Sequence, residues 1–275
     1  MTIRSPRVAT IAGWTTEVRR VAAVGDNTID RYLGGPLLIG GNAVNVAVQL
    51  RLLGSPVSYF GAVGADEDGR LIADALDGHG VGTAGLVVAE GSTALTEIRL
   101  TTDGDRVFER EDFGVTAGYC PSAADLDLIA GHDWVHLGMV PQAAALVARL
   151  RTLNPRVTIS QDCAVSSGFA NLDVAFCSVG EDEPGAQHAA EEALTGGAAL
   201  AVVTMGALGV LACTGGQSWR CAATPAEVVD TTGAGDSFIA GFIAARLDLA
   251  PVPDALEAGT RAAASTCGHL GGFPQ

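Results

Sequence analysis

The segment Val228-Val229-Asp230-Thr231-Thr232-Gly233-Ala234-Gly235-Asp236-Ser237-Phe238 concentrates the residue types that phosphate chemistry needs. Strand-like residues run into a tight glycine turn, and the pattern predicts a helix from about Gly235 to Leu247. Backbone N–H groups at such a helix start carry roughly +0.5 charge and form an anion site without any cationic side chain. Glycines at 233 and 235 let the backbone approach that anion closely. Asp236 is the anomaly, because a carboxylate beside an anion site repels the anion. Two accounts stay open on the residues alone. Asp236 is either an acidic helix start that stabilises by roughly 0.3–1 kcal/mol, or a general base where a hydroxyl meets a transferring phosphoryl group. A second glycine turn, Gly40-Gly41-Asn42-Ala43-Val44-Asn45, opens another helix, and Gly25-Asp26-Asn27-Thr28-Ile29-Asp30 follows the first strand. Carboxylates and amides gathered at a strand's carboxyl end suit a polyhydroxyl ligand, since each can hold two hydroxyls. Taken singly, they also suit turns and caps.

Other patterns reduce to structure. Gly80-Val81-Gly82-Thr83-Ala84-Gly85 fits G-x-G-x-x-G, but a helix precedes it and the apolar strand Leu86-Val87-Val88 follows. The dinucleotide fingerprint needs the reverse order, so this segment reads as a helix C-cap and turn. Asp66, in Asp66-Glu67-Asp68, reads as the N-cap of a helix starting near Asp68 rather than as a metal ligand. His79, His132, His136, His188 and His269 lack metal-site spacing. Six cysteines without a C-x-x-C pair read as buried small hydrophobes in a reducing cytosol.

The elements that position these residues follow from composition and periodicity. The 275 residues are 48% hydrophobic and 17% charged, which excludes a disordered chain. With 16 basic against 31 acidic residues the net charge is −15, which argues against nucleic acid or an anionic membrane as partner. Every basic residue is arginine. The absence of lysine excludes a Walker P-loop, a Schiff-base aldolase, pyridoxal chemistry and a protein-kinase fold. Glu17, Arg19 and Arg20 follow the first apolar run at once, unlike a signal peptide. The uncharged stretch Ala193 to Trp219 is long enough to span a bilayer, but glycines divide it into two strand-length runs. A cytoplasmic enzyme is expected.

Short apolar runs alternate with amphipathic segments. Strands are predicted at Val21–Val24, Pro56–Gly61, Trp134–Leu137, Val157–Ile159, Leu172–Cys177, Leu200–Val203 and Gly209–Cys213. Helices are predicted at Asn42–Leu53, Asp68–Leu76, Pro141–Leu153, Glu183–Leu194, Gly235–Leu247 and Pro253–Thr266. Such alternation implies an α/β fold, a parallel sheet covered by helices on both faces, with ligands at the carboxyl ends of the strands. Thr93–Leu100 and Arg106–Glu111 depart from it as a charged hairpin around Thr102-Asp103-Gly104-Asp105, fit for a lid or an interface.

Gly40 to Asn45, with Gly54, Gly61 and Gly64, resembles the first signature of the ribokinase (carbohydrate-kinase PfkB) family, and Asp230 to Phe238 resembles the second. The resemblance runs from about Val21 to Gly272. Gly25-Asp26-Asn27, Gly41 to Val48, Asp105 to Phe108 and Leu172 to Glu183 are most similar to the fructoselysine 6-kinase-like branch. The resemblance implies one ribokinase-like, doubly wound, mostly parallel sheet domain over 1–275, with small β lid elements at about 28–40 and 92–112. It implies an ATP-dependent transfer to a sugar or sugar-amine hydroxyl, with fructose, ribose-type or nucleoside kinases and a non-catalytic sugar-binding protein as alternatives. Asp236 then matches the catalytic base, and Gly233, Ala234 and Gly235 the γ-phosphate anion hole. Asp30, Gly41 and Asn45 match sugar-binding positions, with Asn27 and Arg106 as further substrate-side candidates. Thr204, Gly206 and Gly209 match the nucleotide turn. Ser178 stands where the family's N-x-x-E motif has asparagine, while Glu181 keeps the glutamate that organises Mg2+. Asp230 and Thr232 match a monovalent-cation loop, which K+ would occupy, and a homodimer through the lid is implied.

Overall fold

A computed structural model of the chain describes residues 10–11, 14–15, 19–100 and 106–275. Beyond a two-residue pairing of Thr10–Ile11 with Trp14–Thr15, the strands are β1 (Val21–Val24), β2 (Thr28–Tyr32), β3 (Leu37–Gly40), β4 (Val57–Gly64) and β5 (Gly82–Ala89). They continue as β6 (Leu95–Leu100), β7 (Arg106–Asp112), β8 (Trp134–Leu137), β9 (Thr158–Asp162) and β10 (Val174–Ser178). Last come β11 (Leu200–Thr204), β12 (Val210–Cys213) and β13 (Ser218–Cys221). The helices are α1 (Asn42–Leu52), α2 (Glu67–Gly78), α3 (Ala123–Ala130), α4 (Ala143–Leu153), α5 (Glu183–Thr195), α6 (Ala234–Leu247) and α7 (Val252–Thr266).

Nine strands form the main sheet in the order β13-β12-β11-β10-β9-β8-β1-β4-β5. The seven from β11 to β5 are parallel, and β12 and β13 close one edge antiparallel. β1 is buried along its whole length, which is why it reads Val-Ala-Ala-Val without polar alternation. Its side chains divide between two cores. Val21 and Ala23 join the residues of α1, α2, α6 and α7, whereas Ala22 and Val24 join those of α3, α4 and α5. This is a ribokinase-like α/β architecture.

A separate four-stranded sheet, β3-β2-β6-β7, is built from the segments 28–40 and 95–112. β2 pairs parallel with β6, while β3 and β7 flank them antiparallel. The turn expected at Thr102 to Asp105 lies outside the described residues.

Some expectations need correction. Gly82 and Gly85 lie inside β5, and only Gly80 belongs to the turn after α2. Of the six cysteines, all free thiols, only Cys213 is buried and Cys120 is exposed. α3 and β13 escape a reading of the sequence, because each is short and lacks a clear period. Asp66 caps α2 as expected, accepting from the Gly69 N–H at 2.8 Å.

Candidate active site

β1 leads out to β4 and β5 on one side, and the chain then returns to β8 on the other. That reversal opens a crevice at the carboxyl ends of β1 and β8, the place where doubly wound sheets bind ligands. Asp26 sits at this point. Its carboxylate accepts from the backbone N–H groups of Asn42 at 2.7 Å, Ala43 at 3.2 Å and Met139 at 3.1 Å. One side chain therefore ties the end of β1 to the start of α1 and to the loop after β8. Burial raises its pKa despite these three donors. Sequence reasoning placed Asp26 in a motif but gave it no task.

The start of α1 delivers two amides to a single carboxylate. Asn45 Nδ2 donates to Asp236 Oδ2 at 2.7 Å, and Asn42 Nδ2 donates to Asp236 Oδ1 at 3.1 Å. Asp236 is only 6% exposed. Burial pushes its carboxyl up from 3.8 to about 8; Asn45 opposes this, the nearby charge of Asp162 adds to it, Asn42 opposes it and Asp26 adds to it. A carboxylate held by both oxygens with a proton affinity near neutrality is suited to general-base work. A solvated helix-start aspartate would have neither feature. Asp162, at the end of β9, accepts from the same Asn42 amide at 3.4 Å.

The glycine turn preceding α6 serves two separate needs. Gly233 adopts φ +70°, and a Cβ there would lie 2.4 Å from Gly272 Cα, so the turn is pressed against the C-terminal segment. Above Gly235 nothing lies within 4 Å of a notional Cβ, which leaves the first turn open to an anion at that residue, while the Ala234 N–H donates to Thr231 O at 3.2 Å. Asp230 braces the approach: Oδ1 accepts from Thr232 N–H and Oγ1, and Oδ2 from Gly271 N–H.

The remaining nucleotide-side candidates gather at the ends of β10 and β11. Val179 N–H donates to Thr204 O at 3.2 Å, and Thr204 Oγ1 donates to Cys177 O at 3.3 Å, so the residues after Ser178 and Thr204 run together. A Cβ on Gly206 would lie 3.5 Å from Glu181 Cγ, which places that exposed glutamate over the turn. Gly209, at φ +93°, lies against the carbonyl of Cys221. Beyond the anion turn, a cavity of about 500 Å³ is lined by Thr224, Pro225, Glu227, Val229, Arg261 and Ser265.

On the other side, Asp30 is buried on β2, its carboxylate against Gly40. Asn27 belongs to the supporting wall: it is 1% exposed, packs beneath Gly41, and donates to Tyr59 Oη at 3.0 Å and Ala62 O at 2.7 Å. Gly41 itself takes φ +101° at the start of α1. The mixed charges of the hairpin are largely paired with one another, Arg99 with Glu109 and Arg110 with Asp112. Arg31 pairs with Asp68 of α2 at 3.6 Å. The Arg106 side chain lies outside the described residues. Among the described residues no three His, Cys, Asp or Glu side chains are placed to hold a metal, and no helix is long and apolar enough to cross a membrane.

Comparison with known proteins gives concordant results. The family described as pfkB family carbohydrate kinase matches residues 36–119 and 170–273. The chain is 32% identical over 262 residues to a fructoselysine 6-kinase of Shigella flexneri, covering 93% of this chain and 100% of that protein. It is 31% identical over 277 residues to a fructosamine kinase of Bacillus subtilis, covering 92% and 93%. Among solved structures, Arabidopsis thaliana ribokinase complexed with ribose and ATP superposes with a TM-score of 0.83 at 22% identity, covering 94% and 96% of the two chains.

Proposed function

Because the chain belongs to the pfkB family of carbohydrate kinases, we propose that it transfers the γ-phosphoryl group of ATP to a primary hydroxyl of a fructosamine-type sugar amine. The family makes it an ATP-dependent carbohydrate kinase; the substrate assignment and the residue roles are our reading. The observation that carries the chemistry is Asp236, buried and clamped through both carboxylate oxygens beside an open glycine turn. In this reading Asp236 takes the hydroxyl proton as the oxygen attacks phosphorus, a contribution of about 10²–10⁴-fold. The N–H groups from Gly233 to Gly235 stabilise charge on the γ-phosphoryl oxygens, on the order of 10²–10³-fold per good donor. Asp30, Gly41 and Asn45 hold sugar hydroxyls, and Thr204, Gly206, Gly209 and Ser178 line the nucleotide side. The cavity beside Val229 takes the base.

Glu181 fits magnesium, which commonly takes one or two carboxylates together with substrate phosphates rather than a dedicated protein cage. When bound, that ion neutralises phosphate charge. Such neutralisation counts for more in a chain of net charge −15 with no lysine. Asp230 and Thr232 offer hard oxygen donors suited to K+, gathered on one short turn before α6. The four-stranded sheet acts as the lid that excludes water, and exposed Leu33 and Leu37 on it supply a homodimer contact. An enzyme consuming ATP in this way is assigned to the cytoplasm.

Two observations favour a sugar amine. The named kinases at 31–32% identity act on fructoselysine or fructosamine. Around the site, Asp30 and Asp162 are buried carboxylates, while Arg31 and Arg99 are paired elsewhere. That field attracts a protonated amine and repels a phosphosugar. ATP consumption measured across fructosamines, fructose, ribose and nucleosides tests this. The highest kcat/KM is expected for a fructosamine; a fructose or nucleoside preference would overturn the substrate assignment and leave the kinase chemistry standing.

A further inference from the structure

Asp162 has no part in the phosphoryl transfer as assigned above, yet it is 7% exposed and stands at the carboxyl end of β9, within the crevice. Its Oδ1 accepts from the Ala164 N–H at 3.0 Å, which fixes the carboxylate on its own turn. Its Oδ2 faces Asn42 Nδ2 at 3.4 Å, and the same nitrogen donates to Asp236 Oδ1 at 3.1 Å. The Asn42 amide is therefore a bridge between two buried carboxylates, contributing one N–H to each. Turning that amide over would set its oxygen against both carboxylates, a repulsive arrangement on each side. The shorter contact binds Asp236, and the longer one places a second acceptor on the same nitrogen.

We infer that Asp162 is a positioning residue for the phosphoryl transfer, holding the Asn42 amide in the orientation that clamps the Asp236 carboxylate. The inference rests on the reading of Asp236 as the base. Through this bridge Asp162 also keeps a like charge close to Asp236. Its own carboxyl is raised to about 6 by burial, opposed by the Ala164 N–H and reinforced by Asp26, so it is mostly ionised at pH 7. The other charged groups around Asp236 are the same with or without Asp162. Asp26 faces it from the end of β1, and α1 presents only the neutral amides of Asn42 and Asn45. Asp230, before α6, is engaged by Thr232 and Gly271, and on α7 the exposed Glu257 and Arg261 pair with each other at 3.6 Å. Removing the Asp162 charge should ease ionisation of Asp236 while loosening its clamp.

The test is the pH profile of kcat/KM for the best sugar in Asp162→Asn, beside wild type and Asp236→Asn. The introduced amide oxygen can still accept from Ala164, but its NH2 then opposes the Asn42 NH2. At the pH optimum kcat should fall by about 10-fold, the equivalent of roughly 1.4 kcal/mol in the barrier. ATP KM should hold, and the acid limb of the profile should move down by about one pH unit. Asp162→Ser, which keeps a short acceptor for the Ala164 N–H, carries the same expectation should the asparagine variant fail to fold. An unmoved acid limb, with or without loss of kcat, would overturn the inference, because Asp162 would then exert no influence on the ionisation of Asp236. If Asp236→Asn kept wild-type turnover, the base reading itself would fall. A silent Asp162 variant beside an inactive Asp236 variant would sink the inference alone.

Discussion

Replacing Asp26 with alanine should damage the protein more than any other single change at the switch point. The carboxylate is the acceptor for three backbone N–H groups, buried at Ala43 and half-buried at Asn42 and Met139, and alanine offers them nothing. An orphaned buried donor costs about 1–3 kcal/mol, an upper bound of roughly 3–9 kcal/mol for the three. Two effects offset part of this. The variant no longer buries a carboxylate, whose pKa is raised by that burial, and water can enter the vacated polar space to satisfy some of the donors. A net loss of about 2–5 kcal/mol remains, a large share of a typical 5–15 kcal/mol stability. Urea unfolding followed by circular dichroism should show a lowered midpoint with an unchanged slope. kcat should fall as well, because α1 carries both amides that hold Asp236. Asp26→Asn keeps one acceptor and should fall between the two. A loss below about 1 kcal/mol with full activity would refute the claim that Asp26 joins β1, α1 and β8.

Asp236 should reveal its burial through stability. Its folded pKa of about 8 lies above the ordinary 3.8, so its ionisation opposes folding, and that destabilisation builds as pH rises from about 4 to 8. Asp236→Asn should lack this loss, so its Tm relative to wild type should shift upward as pH rises over this window and be constant above it, whatever offset its amide sets at low pH; scanning fluorimetry at stepped pH checks the sign. In wild type, the same proton should make kcat/KM rise about tenfold per pH unit towards a plateau near pH 8, within about a unit. Asp30→Ala should raise the sugar KM by about 10–100-fold with ATP KM little changed, from charge-assisted hydrogen bonds of about 1.5–3 kcal/mol; equal weakening of both ligands would mean a collapsed site. Gly233→Ala should lose both stability and ATP turnover, since φ +70° and a Cβ 2.4 Å from Gly272 Cα leave it no room; a wild-type Tm would contradict this.

The parts of the fold written in local pattern were legible. β1 is a continuous apolar run because both faces of the sheet are covered, and α6 begins at the glycine turn that announced it. Asp236 stood out by its spacing, yet its environment did not. The amides that hold it come from residues 191 and 194 positions away, a separation no local pattern encodes. Asp162 gave no signal because the predicted strand stopped at Ile159, three residues short of the observed end. The charged hairpin shows a related limit. Its charged pattern marked a lid or an interface, but not that Arg99 would pair with Glu109, two residues along β7 from its register partner Val107. Local alternation told which residues share a face, whereas pairing depends on a bulge between Glu97 and Ile98.

The most direct measurement is single-turnover phosphoryl transfer from ATP to a fructosamine, comparing wild type with Asp236→Asn under saturating nucleotide. The clamped-base account expects transfer to a primary hydroxyl in wild type and a rate about 10²–10⁴-fold lower in the variant, with ATP still bound at similar affinity. A variant that transfers phosphate at close to the wild-type rate would contradict it.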